Sequence, residues 1–393
     1  MNLYEHEGKD LLASFGIRVP KGTLVRRAEA DAIVNDGPCV AKAQALASDR
    51  AKRGGIAVCA SAAEARAAAA RWLDGGMDCL DVDAVLIEEK IPAVRELYVA
   101  CLQDTGARGP VLLAGTVGGS GIESSGQVLR FPLDAKVPAA FSASLHRGLE
   151  AVAPGFAAFC RSLVEAFQTS DARQIEINPV AVLTDGAFVA LDAKIALDVD
   201  AAFRHPEWEA YGQRTESGKA LTPRELAVRS IDAGARWYQG TAGKYREMDG
   251  DVAVLFSGGG ASIVIMDELA HHGLAAANYT EYSGNPPREK VRDLARIVLS
   301  KPGLRGLLIA GGVANFTDIK ETFAGIVDAL DETQPPYPIV IRRAGPNEKE
   351  GMELMRACAE RNGLRMALHG KETTMRDAVG QLEKMMQSYG HPA

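Results

Sequence analysis

The chain has 393 residues, with 44 Lys and Arg against 51 Asp and Glu, a formal net charge of −7, and 47% hydrophobic residues. That length holds two or three domains with a sizeable core, and the composition excludes a wholly disordered chain. The mildly acidic balance, with no long basic run, excludes the usual electrostatic footprint for nucleic acid, and no apolar run approaches the ~18 residues of a membrane-spanning helix.

The first six residues, Met1 to His6, lack the basic start and apolar stretch of a secretory leader, so a cytoplasmic protein is expected. Strand and helix signals then alternate, the pattern of an α/β fold. Residues 39–44 read as a strand carrying Lys42, followed by a basic loop with Arg50 and Lys52 that ends in Gly54 and Gly55. A strand lysine beside a basic loop suits a polyphosphate; the loop also fits an ordinary charged surface. Ser61 and Glu64 form a capping box for an alanine-rich helix that Gly75 and Gly76 stop. Residues 85–89 read as another strand; Glu88 on it, and Glu96 beyond it, offer carboxylates to a ribose or an adenine amino group.

From Gln174 to Pro179 the side chains alternate, Ile175 and Ile177 to one face and Glu176 and Asn178 to the other. Thr184-Asp185-Gly186 turns the chain into residues 188–191, a hairpin that brings Asp192 beside Asn178. A carboxylate and an amide oxygen on one face make a hard-oxygen site suited to Mg2+ and ATP phosphates. The same alternation fits any half-buried hairpin.

The polar stretch from Gly212 to Ala220 and a capping box at Thr222 and Glu225 mark a domain break in the 210–250 region, giving expected domains 1–240 and 241–393. Beyond it, strand, glycine turn and helix repeat. Residues 252–256 run into Ser257 and three glycines, with a helix from Ile263. Residues 304–309 run into Gly311 and Gly312, and Ile319, Phe323, Ile326, Val327 and Leu330 then form one helix face. Residues 338–341 make a third strand. This is a doubly wound parallel sheet, whose ligands sit at the carboxyl ends of the strands. The six cysteines form no CxxC pair and no zinc spacing, so reduced, buried thiols are expected.

In order, these segments resemble a known family. Tyr4 to Leu12 and Gly16 to Pro20 look like the start of succinyl-CoA synthetase β subunits. Lys42, Glu88 with Glu96, the Glu176-Ile177-Asn178-Pro179 strand, and Leu191-Asp192-Ala193-Lys194 match that family in sequence order. The resemblance implies an ATP-grasp domain in which Lys42, Arg50 and Lys52 face phosphates and Glu88 and Glu96 face adenosine. It also implies Mg2+ at Asn178 and Asp192, with Glu176 beside them. Where the family has a His-Ala-Gly-Gly-Arg-Gly-Lys loop, residues 46–52 here keep the arginine and lysine but no glycine.

In the second half, residues 276–284, 311–317, 341–347 and 369–375 resemble ATP-citrate lyase more than succinyl-CoA synthetase. That resemblance implies a flavodoxin-like CoA-ligase domain in which Gly284, Asn315, Thr317 and Arg343 bind citrate. Such an acid suits an arginine fork and helix-terminal N–H groups. Taken singly, Asn315 or Thr317 also fits a helix N-cap, Arg343 a surface salt bridge, and Gly284 a plain turn.

None of the seven histidines lies in the Gly-His-Ala-Gly setting of a phosphorylated histidine. The resemblance therefore implies a separate α subunit carrying the phosphohistidine and most of the CoA site, in an αβ hetero-oligomer. The expected function is that of an ADP-forming carboxylate–CoA ligase β subunit acting on a citrate-like hydroxylated di- or tricarboxylate. The alternatives are a succinyl-CoA or malyl-CoA synthetase β subunit, and a non-catalytic nucleotide- or acid-binding regulatory subunit.

Overall fold

The structure is a computed structural model that describes residues 1–27, 29, 37–47, 49–77, 80, 82–119, 128–133, 142–212, 214, 221–233 and 238–389. The chain divides into two compact units, Met1–Ala220 and Leu221–Ala393. Most of the polar stretch expected between domains lies outside the described residues, as do Cys79 and His391. No helix among the described residues is long and apolar enough to cross a membrane.

The first unit holds α1 (Glu5–Ser14), β1 (Gly22–Arg26), β2 (Cys39–Ala43), β3 (Ile56–Cys59), α2 (Ala62–Gly75), β4 (Ala84–Glu89), β5 (Arg95–Asp104), β6 (Gly109–Gly115), β7 (Val128–Pro132), α3 (Ala143–Val152), α4 (Phe156–Thr169), β8 (Ala172–Val182), β9 (Phe188–Ala190) and β10 (Lys194–Leu197). Two sheets result, β1-β4-β2-β3 and β10-β8-β5-β6-β7, with β9 also on β8. Trp72, Ala65 and Ala69 of α2 cover the smaller sheet. Phe156, Cys160, Leu163 and Phe167, spaced to share one face of α4, cover the larger. Ser61 accepts from the Glu64 N–H at 3.4 Å and Gly76 ends α2 at φ +70, as the capping signals predict.

The second unit holds α5 (Pro223–Arg229), β11 (Thr241–Glu247), β12 (Val252–Ser257), α6 (Gly259–His271), β13 (Asn278–Ser283), α7 (Arg288–Leu299), β14 (Gly306–Val313), α8 (Ile319–Thr333), β15 (Ile339–Ala344), α9 (Glu348–Asn362), β16 (Met366–His369) and α10 (Met375–Ser388). Its sheet runs β11-β13-β12-β14-β15-β16. The five strands from β12 to β16 are parallel, and β11 pairs antiparallel at the edge. All residues of β12 and β15 are buried, as expected where helices cover both faces.

α5 and β11 belong to this unit, ahead of the boundary expected at 240. The Thr222–Glu225 capping box forms, and Arg224 and Glu225 both bond to Glu247 of β11, which ties the helix to the sheet. Two local expectations change. Gly311 and Gly312, read as a turn, continue β14, because Gly311 still pairs with Ser257. The helix expected from Ile263 starts at Gly259.

Candidate functional site

In the first unit, β8 carries Gln174, Glu176 and Asn178 on its half-exposed face, with Ile175 and Ile177 fully buried on the other. β9 pairs Ala190 with Val180 and β10 pairs Lys194 with Glu176, so Asp192 falls opposite Asn178. The turn at residues 184–186 closes the hairpin, with the Gly186 N–H on the Leu183 carbonyl at 3.0 Å.

Around Asp192 the structure assembles a buried charge cluster at the seam of the two sheets. Lys42 of β2 lies 2.7 Å from Glu5 and 2.9 Å from Glu88 of β4, and its ammonium donates to the Leu191 carbonyl at 2.5 Å. Lys9 bonds Glu5 at 2.7 Å and also meets Glu88. Arg50 bridges Glu5 at 2.6 Å and Asp192 at 2.7 Å. Three cations thus face three carboxylates, which offsets the cost of burying each. Burial alone would raise the Glu5 carboxyl; Lys42, Lys9 and Arg50 together hold it far below the usual carboxylate range. Burial opposes the Lys42 charge, and Glu5, Glu88 and Asp192 more than restore it.

The structure therefore brings together Lys42, Arg50, Glu88 and Asp192. It keeps Lys52 apart: that side chain is exposed and pairs with Asp49 at 3.3 Å. Asp49 stands where the related loop has glycine and takes φ +56. Asp tolerates that left-handed conformation better than most residues, so the loop keeps its turn without the glycine. Ser48 lies outside the described residues.

Glu96 and Asn178 meet at a glycine turn instead. The Gly119 N–H donates to Asn178 Oδ1 at 2.6 Å, and Glu96 is exposed beside Gly119. A Cβ on Gly118 would lie 2.5 Å from the Leu97 carbonyl oxygen, so only glycine fits there. Glu5, Lys9 and this turn escaped sequence reasoning. The four-residue spacing of Glu5 and Lys9, which places both on one face of a helix, was the available signal for that pair.

Among the described residues no three His, Cys, Asp or Glu form a metal cluster. Asp192 and Glu176 supply two carboxylates and Asn178 an amide oxygen, and all are hard oxygens. This fits Mg2+, which keeps several waters and takes one or two carboxylates plus phosphate oxygens. Asp192 Oδ1 accepts from Arg50 and from the Ala193 N–H, and its second oxygen is bonded to no described residue.

In the second unit the expected acid-site residues lie at the carboxyl end of the sheet. Gly284 follows β13 at φ +71, with Gly240 packed against it. Asn315 is exposed and Thr317 is buried. Neither caps α8: Asp318 does, accepting from the Glu321 N–H at 3.1 Å. Arg343 is not a surface salt bridge. It is 2% exposed, donates to the Gly312 carbonyl at 2.6 Å and to Ser257 Oγ at 2.6 Å, and pairs with no carboxylate among the described residues. Its neighbour Arg342 points to the other face, clasped by the carbonyls of Gly311, Thr373 and Lys371. Burial and the adjacent Arg343 hold the Arg342 guanidinium below its usual value.

A cleft of about 490 Å³ lies at the amino end of the same sheet, where His272 bonds Glu383 and Arg305 pairs with Asp251. Ligands of open α/β sheets bind at the opposite end.

A two-sheet unit with a buried lysine, arginine and carboxylate cluster, followed by a doubly wound unit with an unneutralised arginine, defines the ATP-grasp class of acid–CoA ligases. Residues 2–182 match the ATP-grasp domain family and residues 219–383 the family described as ATP citrate lyase citrate-binding. The chain is 32% identical to the ADP-forming succinate–CoA ligase subunit beta of Desulfurococcus amylolyticus, covering 90% of this chain and 93% of that one. It is likewise 32% identical to the same subunit of Rubrobacter xylanophilus over the full length of both. The structure resembles that of ATP citrate lyase from Methanothrix soehngenii in complex with citrate and coenzyme A, with a TM-score of 0.76, 26% identity, and 98% and 99% of the two chains covered. The chain belongs to the β-subunit family of ADP-forming succinate–CoA ligases, and it is a CoA-ligase enzyme subunit related to ATP citrate lyase.

Proposed function

We propose that this subunit binds Mg-ATP in its first unit and a citrate-like hydroxylated di- or tricarboxylate in its second. Together with an α subunit that carries the phosphohistidine and most of the CoA site, it forms the acyl-CoA. The observation that carries the acid assignment is Arg343, a buried guanidinium with no described carboxylate partner at the carboxyl end of a parallel sheet. A buried charge left unpaired is costly, and a substrate carboxylate supplies the missing partner. Gly284, Asn315 and Thr317 complete the acid site.

For the nucleotide, Lys42, Arg50 and Lys52 serve the phosphates, and Glu88 and Glu96 the adenosine. Asn178, Asp192 and Glu176 hold Mg2+, which would neutralise phosphate charge. Lys42 and Arg50 are already partnered by carboxylates, so they share or exchange these partners when phosphates arrive. The absence of a Gly-His-Ala-Gly segment supports an α partner in an αβ assembly. A cytoplasmic location belongs to the same proposal, supported by the free, buried Cys39, Cys59, Cys101, Cys160 and Cys358.

The test is ADP release by the αβ complex with citrate, malate and succinate in turn. Citrate as the best acid is expected. Turnover with succinate and none with citrate would overturn the choice of acid. Succinate is the second candidate because the succinate–CoA ligase relatives reach 32% identity.

A further inference from the structure

Three loops at the carboxyl end of the parallel sheet carry or flank the proposed acid-binding residues. Gly284 opens the loop after β13, Asn315 and Thr317 lie in the loop after β14, and Gly345 opens the loop beyond Arg343 and the end of β15. The strand order is β13-β12-β14-β15, so β12 separates β13 from the other two. Strand pairing alone therefore leaves the distance from Gly284 to Thr317 and Arg343 unset.

One residue joins all three loops. Asp318, next to Thr317, donates its N–H to Asn285 Oδ1 at 2.8 Å and accepts from Asn347 Nδ2 on its Oδ2 at 2.7 Å. Its Oδ1 accepts from the Glu321 N–H at 3.1 Å and so caps α8. Backbone bonds add to the link between the loops after β14 and β15. The Ala314 N–H donates to the Ala344 carbonyl at 2.8 Å, and the Ile319 N–H to the Pro346 carbonyl at 2.9 Å.

Both asparagines reach Asp318 from strained backbone. Asn285 has φ +58 and Asn347 φ +57, the left-handed region that costs a residue with a Cβ. A residue before proline favours extended backbone, and Asn285 precedes Pro286. Asn347 stands at the N-cap of α9, where an asparagine ordinarily turns its side chain onto its own helix; that bond is not made. Strain of this kind persists where the surroundings over-determine it, and it clusters at ligand clamps.

We infer that Asp318, Asn285 and Asn347 are positioning residues for the acid. By tying the three loops together they set the spacing between Gly284, Thr317 and Arg343, and so select the length of acid that fits. The inference rests on those three residues binding the acid. A polycarboxylate held at several points needs them at fixed separation, since a shift of about 1 Å is enough to spoil a bound geometry.

The test is Asn285→Gly and Asn347→Gly, singly and together, in the αβ complex. Glycine adopts left-handed backbone without strain, so the loops keep their path and lose only the ties. The KM for the acid should rise about fivefold in each single variant, as for the loss of one hydrogen bond. The preference among citrate, malate and succinate should narrow, and the KM for ATP should stay unchanged. An unchanged acid KM in the double variant would overturn the inference. So would a raised acid KM with the preference among acids intact, or with the ATP KM rising in step. Arg343→Gln is measured in parallel. If it too leaves the acid KM unchanged, the acid site itself is misassigned and the inference falls with it. If it raises the acid KM while the double glycine variant does not, only the role of the ties fails.

Discussion

Arg343 on β15 donates to the hydroxyl of Ser257 on β12 at 2.6 Å, reaching across the intervening strand β14. The path exists because Gly311 has no side chain. A Cβ there would sit 2.9 Å from Arg343 Nη1 and 2.5 Å from the Ser257 carbonyl oxygen. Gly311→Ala should therefore cost about 1–3 kcal/mol, the usual range for overpacking a tight core. It should also raise the KM for the acid, because the guanidinium is pushed off its position. Urea unfolding and acid titration check the two effects separately; a stability loss with an unchanged acid KM would detach Arg343 from the acid.

Asp192 is the shared partner of Arg50 and, as proposed, of Mg2+. Asp192→Asn keeps the shape and removes the charge. ATP affinity should fall at least about tenfold in the presence of Mg2+, in line with losses on disturbing metal sites. It should change much less in a chelator. Calorimetric titration under both conditions gives the comparison, and equal losses in both would count against a metal at Asp192.

Glu5 is buried and joined to Lys9, Lys42 and Arg50, so removing its charge leaves three cations to Glu88 and Asp192 alone. Glu5→Gln should destabilise the first unit by about 3–5 kcal/mol, the range for breaking a buried pair. Its carboxyl is held far below its ordinary value of 4.5. A depressed carboxyl contributes its stability above the ordinary value and loses it as pH falls toward the folded-state value. The gap between wild type and variant should thus be full at pH 7 and narrower near pH 3, read by urea unfolding at each pH.

His205 stacks on Trp208 with ring centroids 4.2 Å apart and holds Asp171 at 2.6 Å and Glu207 at 2.9 Å. Burial alone would lower its value; the bonds to Asp171 and Glu207 raise it above the ordinary 6.5. A raised histidine contributes fully below 6.5 and loses its contribution as pH rises through the folded-state value. His205→Gln should lower the melting temperature more at pH 6 than at pH 9. A difference of equal size at both would assign the effect to the stacking alone.

Much of the candidate site was legible along the chain. Side chains on a strand alternate with a period of two, so Glu176 and Asn178 declared one face and Ile175 and Ile177 the other, and the glycine turn set the register that puts Asp192 opposite Asn178. The helix face of Ile319, Phe323, Ile326 and Leu330 was equally local, and all four are buried. The caps were less so. Asn315, Thr317 and Asp318 are all capable residues within four positions, and backbone conformation, rather than residue type, selected Asp318.

The sequence by itself determined the α/β alternation, the two-part organisation, and the ordered segments that mark the ligase family. The hairpin behind Asp192 was likewise written in nearest-neighbour periodicity. Tertiary structure alone decided who meets Asp192 and who meets Arg343. Glu5 and Asp192 are brought to one arginine from opposite ends of the first unit, and Ser257, Gly311 and Arg343 line up only through the strand order of the second. Residue spacing carries no such information, because these contacts depend on which strands pair and in what register, and that is settled only when distant apolar faces are buried together.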